Sequence, residues 1–254
     1  MQIFVGICYI ATQMNKKQKG YQDHIVSEHK VFESFLKSKI KFNRIQKFYQ
    51  GIKVRIINLN LIPNIKSAKK ILDIGCGEAE TLKFIRQHIN SDAEFYGVDL
   101  EKNKNLPPFV NFYEVDIEEQ KLPFEDDYFD IVISTFLLEH LQNPQQFFFE
   151  TNRVLKKAGH FYCVTENYTS VFLPGRFNFF SDPTHVRPWT KKSLKALAEM
   201  SGFKVLKIGH FRPVEYFLLI PFVPILSLIF GSECFIVIYE VFFGKSIYCL
   251  LRKP

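Results

Sequence analysis

The sequence predicts an α/β fold, a doubly wound and mostly parallel sheet that begins near residue 60. Three observations predict it. After Pro63, short apolar runs alternate with segments of helical periodicity, as in a sheet built from βαβ units. The first apolar run leads through Gly75-Cys76-Gly77 into a helical segment, and the second ends on an acidic residue, Asp99. The chain is 47% hydrophobic and 23% charged, which supplies a core and excludes both disorder and a disulfide scaffold.

The elements follow in order. Between residues 24 and 48, Val26, Phe32, Phe35, Leu36, Ile40 and Ile45 recur at helical spacing among lysines, predicting one or two amphipathic helices. Residues 1–60 are thus read as a leader with N-terminal helices, and residues 61–254 as the main domain. The first twelve residues are apolar but too short to span a bilayer, and their lysines follow the apolar run instead of preceding it, so no export signal is expected. Met14 is an alternative start. Strands are predicted at 70–74, 95–99, 110–116, 129–134, 160–166, 203–209 and 246–251, with helices at 80–89, 144–155 and 191–200. The Ala158-Gly159 pair reads as a turn ahead of the fifth strand.

The net charge of +7 raises the question of nucleic acid. Much of the excess lies in Lys16, Lys17, Lys19, Lys30, Lys37, Lys39, Lys41 and Arg44, scattered among apolar positions as on the solvated face of a helix. A phosphate- or membrane-facing role is the alternative. The five cysteines, Cys8, Cys76, Cys163, Cys234 and Cys249, form no C-x-x-C pair. That argues for a reducing, cytoplasmic setting and against a zinc site, and no metal is expected.

The segment from Ile71 to Glu80 carries the functional expectation. Glycines at 75 and 77 let the backbone turn and approach a ligand with no Cβ in the way, and the helix that follows directs free N–H groups at the loop. Asp99, about twenty residues on, stands where a carboxylate accepts hydrogen bonds from ribose hydroxyls. A dinucleotide fingerprint needs a small residue at position 80, where Glu80 stands; a G-x-G-x-G loop needs one at 79, where Ala79 stands. The loop therefore reads as one for S-adenosylmethionine, and Asp73 suits the cationic amino-acid end of that cofactor.

These residues, with Tyr96-Gly97-Val98-Asp99, Asp116-Ile117, Leu122-Pro123-Phe124 through Asp130, Leu138-Glu139-His140-Leu141, and Arg153 to Lys156 with Gly159, resemble the motifs of class I S-adenosylmethionine-dependent methyltransferases. The branch resembled is the small-molecule "type 11" one, over roughly residues 65–210. The resemblance implies a Rossmann-like, seven-stranded sheet whose last strand is antiparallel. It further implies that Gly75 and Gly77 line the methionine part of the cofactor, that Asp99 holds the ribose, and that Asp116 and Ile117 meet the adenine; Cys76, Leu100 and Ser134 are read with them as cofactor-binding. Ala79 departs from the usual third glycine.

Methyl transfer requires an aligned nucleophile and often a base. The run Ser181-Asp182-Pro183-Thr184-His185-Val186-Arg187-Pro188 resembles a stretch in some bacterial methyltransferases, including ones linked to glycan biosynthesis. His185 is the candidate base, Asp182 its orienting partner and Arg187 a contact for an anionic substrate, with bracing of a proline-rich loop as the structural alternative. Thr190 is read as the cap of the next helix. His140 is a further candidate, either catalytic or shaping the pocket. Tyr168, Phe177, Phe179 and Phe180 are candidates for an apolar pocket or for core packing.

Residues 213–244 form an apolar insertion before the last strand, whose run 216–232 lacks any charge but contains Pro221 and Pro224. It reads as a lid, as a monotopic hairpin giving peripheral membrane contact, or as a span. The expected reaction is methyl transfer to an oxygen, or to nitrogen or carbon, of a small or lipid-linked acceptor. An RNA methyltransferase is disfavoured, because Ser134-Thr135-Phe136-Leu137 replaces the Asn/Asp-Pro-Pro-aromatic motif. A non-catalytic, membrane-associated binding module is the remaining alternative. The sequence is silent on oligomeric state.

Overall fold

The structure is a computed structural model that describes residues 59–173, 178–210, 220–225 and 236–254. These belong to a compact unit, Lys53–Pro254. The expected N-terminal helices, most of the insertion, and Phe177 lie outside the described residues.

Seven strands form one sheet in the order β3-β2-β1-β4-β5-β7-β6. They are β1 (Lys70–Ile74), β2 (Glu94–Asp99), β3 (Val110–Glu114), β4 (Phe129–Thr135), β5 (Leu155–Glu166), β6 (Lys204–His210) and β7 (Ser246–Arg252). All neighbours are parallel except β7, which runs antiparallel between β5 and β6. The helices are α1 (Glu80–His88), α2 (Pro144–Val154), α3 (Lys191–Met200) and α4 (Ile236–Phe242).

Side chains alternate across the sheet, and each face acquires its own core. Leu72 and Ile74 of β1 face Phe147 and Phe148 of α2 and Leu194, Leu197 and Ala198 of α3. Ile71 faces the opposite way, toward Leu82 and Ile85 of α1 and the single turn at Leu59–Leu61. Much of the aromatic richness is structural. Phe148 meets Phe161 at 5.3 Å between ring centroids and Phe203 at 6.1 Å, both edge-on, and Tyr96 meets Phe129 at 5.2 Å.

The helix starts follow local rules. Asn143 accepts the N–H of Gln146 ahead of α2, with Pro144 in the first turn. Thr190 and Ser193 form a reciprocal capping box on α3, as expected for Thr190. The Arg153 guanidinium at the end of α2 clamps the approach to β4. It donates to the Leu122 and Phe124 carbonyls, to Asp126, and to both oxygens of buried Glu150.

One expectation needs correction. The Ala158-Gly159 turn does not precede β5 but lies inside it. Leu155 already pairs with Phe129; the register then slips, and pairing resumes at His160 with Ile131. Ala158 takes a left-handed φ of 61° there, and a Cβ on Gly159 would sit 2.8 Å from the Lys156 carbonyl oxygen. The pair forms an irregularity within the strand because β4 continues to hold residues on both sides.

β1 pairs with both β2 and β4, so successive connections leave on opposite sides of it. Sheets of this kind leave a crevice beyond the carboxyl ends of the strands at such a switch point. The glycine turn after β1 and the Leu138–His140 turn after β4 both lie there.

Candidate active site

The loop after β1 is tied to the end of β2. The N–H groups of Gly75 and Cys76 both donate to the Val98 carbonyl, and the Gly77 N–H donates to Asp99 Oδ2 at 2.8 Å. The other Asp99 oxygen accepts the Leu100 N–H at 2.8 Å. Gly75, Gly77 and Ala79 have φ values of 75°, 51° and 56°, so alternate residues are left-handed. A Cβ on Gly75 would lie 3.2 Å from Leu137 Cβ, whereas one on Gly77 would meet nothing within 4 Å. At Gly77, therefore, backbone conformation and open space ahead of the loop favour glycine, not crowding. Ala79 carries its methyl fully buried in a left-handed conformation ahead of α1.

Asp73 is 2% exposed, and its Oδ1 has no hydrogen-bond partner among the described residues. Burial, and then the neighbouring Asp99 charge, push its carboxyl up to about 8. Ser134, at the end of β4 beside Ile74, is also buried with an unpartnered Oγ. An orphaned buried carboxyl beside an open glycine cradle fits a ligand that brings a cation. Cys76 is buried, its thiol pushed far up by burial, and a Cβ on Gly97 would lie 2.8 Å from its sulfur; packing accounts for it. Leu100 is exposed, Asp116 is half-buried and accepts the Glu118 N–H, and Ile117 belongs to the core.

The other wall grows from β4. The N–H of Phe136, at φ 55°, donates to Val164, and the chain then turns through Leu138–His140. The Leu137 that packs on Gly75 joins this wall to the glycine loop. Glu139 is 1% exposed, accepts the Thr165 hydroxyl at 2.8 Å, and is pushed up to about 8 by burial. Its carbonyl accepts the Val186 N–H at 2.8 Å, which seats the loop carrying His185. The His140 and His185 rings lie 4.7 Å apart at 60°.

The structure places Asp182 beside His185 at ion-pair distance, without a direct hydrogen bond between them. His185 Nε2 lies 4.0 Å from Asp182 Oδ2, beyond hydrogen-bond range, and its Nδ1 instead donates to the Phe179 carbonyl at 2.7 Å. Asp182 Oδ1 accepts the Thr184 N–H and hydroxyl at 2.8 and 2.6 Å, and that hydroxyl oxygen meets His140 Nδ1 at 2.8 Å. Burial alone would push Asp182 up, but the two Thr184 bonds and the adjacent imidazoles hold it below the usual carboxylate range. Burial, followed by the His185 charge, lowers His140. The structure thus brings all three candidates together, with Asp182 orienting His140 through Thr184. Thr184 was not singled out from sequence, although Asp-x-Thr is a turn in which the acid accepts the N–H two residues on. Arg187 donates to the Gln142 carbonyl at 3.1 Å. Phe179 is buried under His185 with centroids 4.5 Å apart, while Tyr168 and Phe180 are exposed.

Comparison with known proteins bears on the family and the fold. A family model described as a methyltransferase domain matches residues 45–208. A demethylmenaquinone methyltransferase of Staphylococcus carnosus is 27% identical over 214 residues, covering 72% of this chain and 87% of that one. An S-adenosylmethionine-dependent methyltransferase structure from Archaeoglobus fulgidus superposes with a TM-score of 0.59 at 21% identity, covering 85% of this chain and all of that one. A phosphoethanolamine N-methyltransferase 2 structure from Haemonchus contortus, holding S-adenosylhomocysteine, gives 0.57 at 16% identity, covering 80% of this chain and 52% of that one. The chain belongs to the methyltransferase-domain family and is a class I S-adenosylmethionine-dependent methyltransferase.

Proposed function

We propose that the β1 and β2 ends hold S-adenosylmethionine and that the β4 wall presents the acceptor. The observation that carries this reading is Asp73, a fully buried carboxyl with an orphaned oxygen directly behind the glycine turn. Its ionised form would take the cofactor's ammonium group, while the backbone of Gly75, Cys76 and Gly77 lines the methionine chain. Asp99 and Leu100 would meet the ribose, Asp116 and Ile117 the adenine, and Ser134 the remaining polar contact at the β4 end. The bound cofactor supplies a methyl group on a sulfonium.

On the acceptor side, His140, Asp182 and His185 form the polar wall that receives the acceptor group and its proton. The acceptor atom is read as oxygen, before nitrogen or carbon, on a small or lipid-linked molecule. The S. carnosus relative, named for a demethylated menaquinone, supports an apolar acceptor. Calorimetric titration with S-adenosylmethionine, and separately with NADH, tests the cofactor assignment. Micromolar binding of the first alone is expected, and binding of neither would favour a non-catalytic module.

A second element of the reading is peripheral membrane contact through residues 213–244. Its support is the exposure of Phe222, Ile225, Phe242 and Phe243, four large apolar side chains among the described residues of the insertion. No helix among the described residues is long and apolar enough to cross a membrane. Flotation with anionic liposomes should show binding that is lost on deleting residues 216–232; undiminished binding would refute this role.

A further inference from the structure

Three metal-ligating side chains meet at the turn that follows β4. Glu139, His140 and His185 each offer a ligand atom, and these atoms lie within 4.8 Å of one another. The first two stand on the turn that Leu137 packs against Gly75. The third is seated by the Val186 N–H on the Glu139 carbonyl.

Their hydrogen bonds fix both imidazole tautomers. The Thr184 hydroxyl lies 2.6 Å from the Asp182 carboxylate, so its hydrogen is committed there. Thr184 Oγ1 can then only accept from His140 Nδ1, 2.8 Å away, and His140 carries its proton on Nδ1. The Phe179 carbonyl, 2.7 Å from His185 Nδ1, is likewise only an acceptor, so His185 is also protonated on Nδ1. Each neutral ring is left with a lone pair on Nε2. A metal-binding histidine is usually aimed in this way, its other ring N–H held by a carbonyl or carboxylate-linked group. A buried carboxylate with two such imidazoles also has the composition of sites that bind transition ions.

We propose that Glu139, His140 Nε2 and His185 Nε2 bind a divalent first-row transition ion that holds an oxygen of the methyl acceptor. Two nitrogens and one oxygen suit zinc, iron or cobalt better than magnesium or calcium, which prefer all-oxygen shells. Three protein ligands leave positions open for water or substrate, as in catalytic sites. A ring nitrogen of each histidine and a Glu139 oxygen start within 4.8 Å of one another, so the ligand atoms draw together by up to about 1.5 Å to reach the separation that bonds of roughly 2.0–2.1 Å impose. With both Nε2 atoms on the ion the imidazoles would no longer take the acceptor's proton themselves; a hydroxyl bound to the ion would instead lose it to solvent at lower pH than a free one. Its oxygen then attacks the sulfonium methyl: the O–C bond forms, the C–S bond breaks, and the electron pair stays on sulfur as a neutral thioether. This role rests on the methyl-transfer reading above; the ion site itself does not.

The test uses full-length protein stripped with a chelator and then titrated with Co2+, followed by visible absorption, and with Zn2+, followed by calorimetry. S-adenosylmethionine affinity is measured in parallel. One equivalent of each ion is expected, with Co2+ bands distinct from those of the hydrated ion. Affinity should fall at least tenfold in His140→Ala and His185→Ala. Thr184→Val removes the hydroxyl that links His140 to Asp182 while leaving all three ligands in place, and should weaken ion binding by about ten- to a hundredfold. Should an alanine variant fail to fold by circular dichroism, Thr184→Val and His185→Asn carry the comparison. Protein that binds S-adenosylmethionine but takes up no stoichiometric ion overturns the inference, as does ion binding unchanged in folded histidine variants. Ion uptake without cofactor binding would instead overturn the cofactor assignment and leave the ion site standing.

Discussion

The orphaned carboxyl of Asp73 makes cofactor binding measurably dependent on pH. The group is buried, has no cationic partner among the described residues, and is held near 8 by burial and by Asp99. Binding the cofactor's ammonium group requires the ionised form, so apparent affinity scales with the ionised fraction. Between about pH 6 and pH 7.5 that fraction rises from about 1% to about a quarter, and affinity should rise about twentyfold. The window closes near pH 8, where an α-amino group begins to lose its own proton. Calorimetry at about pH 6.5 in two buffers of different ionisation enthalpy should show release of close to one proton per cofactor bound. Asp73→Asn should abolish both the release and the slope. Stability without cofactor carries the opposite signature. Because the folded value lies above the unfolded one, Asp73 costs nothing below about pH 4 and destabilises increasingly as pH rises toward 8. Urea unfolding should therefore show Asp73→Asn gaining on wild type across that range, by a few kcal/mol at most. Flat affinity with no proton release would refute the assignment of Asp73 to the ammonium group.

Other predictions concern the frame of the site. Asp99→Ala removes the acceptor that holds the Gly77 and Leu100 N–H groups as well as the proposed ribose contact. Cofactor affinity should fall about tenfold or more, and near-normal binding by calorimetry would retire the ribose role. Gly97→Ala drives a methyl to 2.8 Å from Cys76 Sγ and 3.0 Å from Val110 Cγ1, which should cost about 1–3 kcal/mol in urea unfolding. Adding Cys76→Ala should recover part of that loss, and strictly additive losses would show that the sulfur is not the obstacle. Arg153→Lys keeps the charge but loses the forked contacts to Glu150, Asp126 and two carbonyls, for an expected cost of about 2 kcal/mol or more. Burial alone would raise Glu150, but Arg153 and the Leu122 N–H hold it low. The stability difference should therefore be full above the ordinary carboxylate range and shrink as pH falls through it; a pH-independent difference would contradict this account.

Much of the fold was legible because it rests on local rules. Hydrophobic alternation placed the strands to within a few residues except at β5, and Gly75, Gly77 and Asp99 announced the turn and the strand end beside it. The early start of β5 was hidden, because Leu155 joins the sheet through its pairing with Phe129, which no local pattern of its own encodes. The histidine contacts were hidden for a related reason. Asp182 was read as the partner that orients His185, yet His185 Nδ1 uses a backbone carbonyl, an acceptor that every residue possesses. Reading metal sites from cysteine spacing tested one ligand class alone. The site proposed above combines an adjacent Glu139-His140 pair with a third partner far along the chain, a pattern that such spacing does not test.

The two halves of the site are also linked by backbone strain. Phe136 is a bulky residue at φ 55°, a conformation that costs about 1–2 kcal/mol for an L side chain. Without that reversal β4 would run on, Leu137 would not reach Gly75, and Glu139 and His140 would not meet Thr165, Thr184 and His185. The strain is held by the Phe136 N–H on Val164 and by the His140 N–H on Leu137. Ala79 makes a second such concession at the far side of the same loop, where its left-handed conformation sets the first turn of α1 behind the open space at Gly77. Two non-glycine residues in left-handed backbone, one on each wall of a single crevice, mark where the chain accepts local cost to fix the position of the groups between them.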